Sequence, residues 1–113
     1  MFQFTAGDSG FTAGAIDRVL DWQGGTSGAV LDTLDFATAG TVNNYIEAGT
    51  ATDFTTALAA ANAFFTANTS IDYYAVQLSD GVVVFSDNAT NTTVDAVVLV
   101  GRTLADVAFD NIV

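Results

Sequence analysis

The nine residues from Asp87 to Asp95 read Asp-Asn-Ala-Thr-Asn-Thr-Thr-Val-Asp. Oxygen-bearing side chains stand at the first, fifth, seventh and ninth positions: Asp87, Asn91, Thr93 and Asp95. Alternating oxygens on a tight loop are how a calcium loop gathers ligands, because the ion takes hard oxygen donors from carboxylates, amides and carbonyls. Ala89 stands where such a loop places a third oxygen, Thr92 where it places a glycine, and no bidentate Glu follows. A second set of acids lies near the N-terminus: Asp8, Asp17, Asp21, Asp32 and Asp35. Asp17 and Asp21 are four apart, and Asp32 and Asp35 three apart. In strands the members of each pair do not share a ligand, so only folding can unite them around calcium. The plainer role for the same residues is structural. Asp suits turns and caps, and Glu47 is the single Glu in the chain.

Composition removes most other chemistry. The chain has 113 residues, no His, Cys or Pro, and thirteen acids against two cations, for a net charge of −11. The cations are Arg18 and Arg102. Without His and Cys there is no ordinary zinc, haem or iron–sulfur site, and no Ser–His–acid triad. Without Lys there is no Schiff base. Nucleic acid and anionic membranes are poor partners, because phosphate binding needs clustered positive charge. Glycoside hydrolysis needs two carboxyl groups at a set separation in a cleft, and nothing marks such a pair. The expectation is a non-catalytic protein. Charged residues make up only 13% and mean hydropathy is +0.42, which favours a packed core over acidic disorder.

The elements that must position these residues are legible in part. Phe2-Gln3-Phe4-Thr5 alternates as a short strand, and Ala6 to Gly14 is a glycine-punctuated loop. Ile16, Val19, Leu20 and Trp22, then Val30, Leu31, Leu34 and Phe36, supply two apolar segments around a glycine-rich turn at 24–28. Val42 to Glu47 reads as a strand closed by Gly49. Phe54, Ala57, Leu58, Ala61, Phe64 and Phe65 recur at helical spacing, which predicts a helix over 53–67 with Thr52 as N-cap, Asn68 as stop and a buried Phe/Leu face. Asp72 to Ser79 and Val82 to Ser86 flank Asp80-Gly81, a strong hairpin signal. Val94 to Val100 is almost wholly apolar, as in a strand buried on both faces. Thr103 caps a short turn through Asp106. Met1 to Thr5 has neither the basic nor the apolar region of a signal peptide. The run Ala96–Val100 is far too short to span a bilayer, so no membrane insertion is expected.

Several stretches together resemble the C-terminal region of bacterial RTX proteins. Phe2-Gln3-Phe4, Gly7-Asp8-Ser9, Ile16-Asp17-Arg18-Val19-Leu20-Asp21-Trp22 and Asp32-Thr33-Leu34-Asp35-Phe36 are similar to the segment that follows the glycine/aspartate repeats of that family. Ile71 to Val113 is similar to its tail. The closing Phe109-Asp110-Asn111-Ile112-Val113 resembles the acid-plus-apolar terminus of serralysin-type secretion signals. The resemblance implies a domain that caps a calcium-binding β-roll. It also implies an uncleaved signal read by a type I secretion ABC transporter complex, and a secreted, extracellular or cell-surface location on bacteria. The family's calcium loop carries over as Asp87, Asn91, Thr93 and Asp95. The nonapeptide repeat itself is absent.

The expectation is thus one domain over 1–113, the C-terminal domain of a larger secreted protein. Its fold is mainly β, a twisted sheet or β-sandwich-like arrangement of short strands with one packed amphipathic helix. Removal of 109–113 is expected to abolish export and leave most of the fold. The rival is a self-assembling surface-layer or filament subunit, associating through an exposed strand edge. A carbohydrate-binding module would present Trp22, Tyr45, Tyr73 and Tyr74 as a row of exposed aromatics.

Overall fold

The computed structural model describes residues 1–5, 7, 10, 16–26, 29–36, 38–87, 90–93 and 95–113. Its centre is made by the three most apolar segments of the second half: β7 (Tyr73–Leu78), β8 (Gly81–Ser86) and β9 (Asp95–Val100). β7 and β8 form the hairpin announced by Asp80-Gly81. Their register runs from Leu78 opposite Gly81 to Tyr73 opposite Ser86. β9 returns antiparallel to β8, with Ser86 opposite Asp95. Two outer strands complete a five-stranded sheet. β2 (Asp17–Val19) runs parallel to β9, and β6 (Tyr45–Thr50) runs parallel to β7.

Burial of this sheet on both faces explains its unbroken apolar runs. On one face Tyr74, Val76, Val83, Phe85, Ala96 and Val98 pack against Ala57, Ala61 and Phe65 of helix α1 (Phe54–Ala67). On the other, Tyr73, Ala75, Val82, Val84, Val97 and Leu99 meet Phe4, Trp22, Leu34, Phe36, Val107 and Ile112. That second layer comes from the chain's two ends. It contains the parallel ladder of β1 (Phe2–Gln3) with β5 (Leu34–Asp35), and the antiparallel pair β3 (Gly25–Thr26) and β4 (Ala29–Val30). The molecule is therefore mainly β with one packed helix. No helix among the described residues is long and apolar enough to cross a membrane.

Two expectations need correction. The N-cap of α1 is Asp53, not Thr52. The Asp53 carboxylate accepts the Thr56 amide at 2.7 Å, and Asn68 ends the helix as expected. The strand read at 42–47 lies instead at 45–50, because the Asn44 side chain accepts the Thr41 amide at 2.6 Å and closes a turn there. The exposed aromatic row that a carbohydrate-binding module would need is not formed: Trp22, Tyr73 and Tyr74 are buried, and half-buried Tyr45 packs against the core.

The end layer approaches the chain too closely for side chains at two glycines. A Cβ on Gly24 would lie 1.9 Å from the Asp106 carbonyl oxygen, and one on Gly40 would lie 2.3 Å from that of Phe109. Trp22 Nε1 donates to the same Asp106 carbonyl at 2.8 Å. The C-terminal segment is thereby seated directly on residues 22–40.

Candidate functional site

The two acids that bound the 87–95 loop lie at the same end of the sheet. Asp87 follows β8 directly, Asp95 opens β9 opposite Ser86, and both are buried. Burying a carboxylate demands hydrogen bonds or counter-charge. Asp95 receives the Gly7 amide on both oxygens, at 3.0 and 3.1 Å, across 88 residues of sequence. The Asp87 amide donates to the Asp72 carbonyl, and its carbonyl accepts from Thr90.

The helix holds the loop between them. Asn62 Oδ1 accepts the Thr93 amide at 2.7 Å, and Thr66 Oγ1 donates to the Asn91 carbonyl at 3.0 Å. Asn62 and Thr66 are four apart, one above the other on one face of α1. Neither stood out in the sequence, since each is an isolated polar residue among the alanines and phenylalanines of the helix's second half. Asn91 takes a left-handed backbone conformation, φ 62°, which Asn tolerates better than most residues. Thr93 is 7% exposed, and its hydroxyl oxygen is buried with no hydrogen-bond partner among the described residues.

The local field is acidic. Tyr73 lies opposite Ser86 and donates its hydroxyl to the Thr38 carbonyl. Burial raises its phenol pKa, and the charges of Asp72, Asp87 and Asp35 raise it further. The guanidinium of Arg18 lies at the far end of the sheet, 3.1 Å from Asp80, and Arg102 follows the opposite end of β9.

The other predicted ligands have separate places. Asp17 is exposed on edge strand β2, and Asp21 is exposed just beyond it. The Asp32 carboxylate accepts the Gln23 amide at 2.7 Å, and Asp35 accepts from the Gln3 side chain at 3.1 Å. Asp8, Ser9, Asn88, Ala89 and Val94 lie outside the described residues. Among the described residues no three acids gather as a metal-holding group. A cation at the loop would therefore rest on the Asp87 and Asp95 carboxylates with neutral oxygens. The buried Thr93 hydroxyl is the atom that suits such a role, since calcium accepts mixed oxygen ligands.

The C-terminal pentapeptide is part of the end layer. Phe109–Asn111 makes one 3-10 turn. Buried Asn111 donates from Nδ2 to the carbonyls of Gly24 at 2.6 Å and Asp32 at 3.0 Å. Ile112, 2% exposed, bridges Leu34 in parallel, and Val113 donates its amide to Leu34 at 2.9 Å. Asp110 is half-buried between these contacts, with one carboxylate oxygen buried. The segment thus fills part of the core and ties residues 24, 32 and 34 together, which weighs against the expectation that its removal leaves most of the fold.

No family model, no curated protein and no solved structure matches the chain.

Proposed function

We propose that this chain is a non-catalytic, C-terminal domain of an extracellular protein of the RTX kind. In this reading it caps a β-roll, carries an uncleaved signal in Phe109–Val113 for a type I secretion ABC transporter complex, and takes calcium at Asp87, Thr93 and Asp95. The observation that carries the reading is the ladder in the end layer. β5 lies between β1 and Ile112, and all three run parallel. Among the described residues β1 pairs with β5 alone, and an upstream strand added at its other edge would continue the parallel stack. A β-roll presents such a stack.

Assembly by strand addition has less to work with. Edge strand β2 is three residues long and exposes Asp17 and Arg18. The other edge, β6, carries Glu47, and its register shifts between Glu47 and Thr50. Charges and irregular edges are how proteins discourage edge pairing.

Export through a type I apparatus tests the signal. Because deletion of 109–113 also removes buried core contacts, a companion variant is needed. Gly40→Val would collide with Phe109 and Ile112 and unseat the tail while leaving its sequence whole. The expected result is no export of the deletion and continued export of Gly40→Val. Export of both, or of neither, overturns the signal reading.

A further inference from the structure

A groove of about 370 Å³ lies on the helix-covered side of the sheet, away from the 87–95 loop and from the C-terminal segment. The first turn of α1, the β7–β8 turn and edge strand β2 form its walls. Its apolar surface includes Phe54, Leu78 and Val98, and Arg18, Asp53 and Asp80 supply its charges. The capping and export reading uses none of these side chains.

The polar groups are arranged in a particular way. Arg18 Nη2 stands 3.1 Å from Asp80 Oδ2, with both side chains about half exposed at 47% and 52%. This places a row of N–H donors beside a carboxylate acceptor at the mouth of an apolar hollow. Asp53 commits Oδ1 to the Thr56 amide, which fixes the carboxylate while Oδ2 remains able to accept. A ligand that fits must offer adjacent groups that both donate and accept, together with an apolar side to lie on the partly exposed Phe54.

Charge narrows the choice. An anion is repelled by a chain of net charge −11, and within the groove two acids oppose one Arg. A cation would have to compete with Arg18 for Asp80, leaving the solvent-exposed Asp53, where attraction is screened. A neutral vicinal diol breaks no ion pair, since one hydroxyl accepts from the guanidinium while its neighbour donates to the carboxylate. The volume lies at the small end for ligand pockets, which run from roughly 300 to 1,000 Å³, and suits one or two rings. The geometry points to a site for a neutral saccharide, with its C–H face on the partly exposed Phe54 ring above buried Leu78 and vicinal hydroxyls on Arg18 and Asp80. This inference is independent of the export reading and of the aromatic row expected of a carbohydrate-binding module.

Amide chemical shifts of the full chain provide the test. Methyl glucoside, methyl galactoside, N-acetylglucosamine and lactose are titrated separately into the millimolar range. Benzylammonium and glucose 6-phosphate serve as charged comparisons. The expected result is a saturable shift of the Phe54, Leu78 and Asp80 signals with at least one neutral sugar, and weaker binding of both charged probes. Arg18→Met should weaken sugar binding about tenfold or more, the scale of losing a hydrogen bond to a charged group, with the melting temperature nearly unchanged. Asp80→Asn should do the same while keeping a strong hairpin turn in Asn-Gly, and decides the matter if Arg18→Met does not fold. The inference is overturned if no neutral sugar shifts these signals saturably, if a charged probe binds more tightly than every sugar, or if both variants bind undiminished.

Discussion

Tyr73 joins the central sheet to the end layer through one hydroxyl. It donates to the Thr38 carbonyl, and its ring packs 5.7 Å from that of Phe36. Burial, followed by the charges of Asp72, Asp87 and Asp35, holds its phenol pKa above the ordinary value. Tyr45 is raised by burial and by Glu47, and Tyr74 by burial alone. The sign follows from linkage. Below pH about 10, the ordinary phenol pKa, these groups are protonated whether the chain is folded or not, and their stabilising contribution is complete. Above it the unfolded chain loses protons first, so stability falls as pH rises, until the folded phenols themselves ionise. Phenolate absorbance is therefore expected to appear together with loss of far-UV dichroism in one alkaline transition. Tyr73→Phe should move that transition to higher pH, while costing about 1 kcal/mol at neutral pH for the lost hydrogen bond. Three phenols titrating near pH 10 with the dichroism intact would contradict their burial.

Among the elements, those with one strong local signal were legible and those made by distant partners were not. The helix 54–67 and the strands around Asp80-Gly81 follow from apolar spacing and a turn dipeptide, each within a few neighbouring residues. β1 follows from the alternation of Phe2-Gln3-Phe4-Thr5, but two-residue β5 and the pairing of the two have no such signal. Phe2 pairs with Leu34 because Ile112 lies on the other side of β5, and three segments that far apart leave no local pattern. The candidate site divides in the same way. Asp87 and Asp95 were visible as residue types at a spacing, whereas the clamp from Asn62 and Thr66 reaches across 31 and 25 residues. The same dependence on distant partners governs the C-terminal segment. Ile112→Ala removes a buried side chain from the core and should cost about 3 kcal/mol. Deletion of 109–113 also removes the Asn111 bonds, for a loss of about 5 kcal/mol. Small domains hold only about 5–15 kcal/mol in total, so the deletion should be partly or wholly unfolded at room temperature. Denaturant titration followed by Trp22 fluorescence reads this directly, since Trp22 is fully buried beneath the same layer. A deletion variant with an unaltered midpoint would show the tail to be ornamental to the fold.

At the scale of the whole molecule, charge is distributed against the fold. Thirteen acids face two arginines, and the Arg18 guanidinium sits beside Asp80 at the β7–β8 turn. Asp87 and Asp95 are buried at the other end of β8 and β9, roughly 17–20 Å away along a six-residue strand. That separation exceeds the Debye length of about 8 Å in physiological salt, so neither arginine offsets this end of the sheet. Two kinds of cation effect follow, and they are separable. Sodium chloride should raise the melting temperature modestly by screening repulsion over the whole surface. Calcium at the same ionic strength should raise it further if the 87–95 loop binds the ion. At one hundred times its Kd a ligand adds about 2.7 kcal/mol, equivalent to a shift of about 10–20 °C in a domain of this size. Replacing Asp87 and Asp95 together by Asn should abolish the calcium increment and leave the sodium increment in place. Light scattering on the same samples should show constant size. Equal shifts from the two salts would reduce the loop to a structural turn, and growth in size with calcium would transfer the ion's role from the loop to contacts between molecules. A calcium increment that survives the double substitution would place the ion elsewhere among the acids. The double variant thus separates binding at Asp87 and Asp95 from the general relief of an overcharged surface.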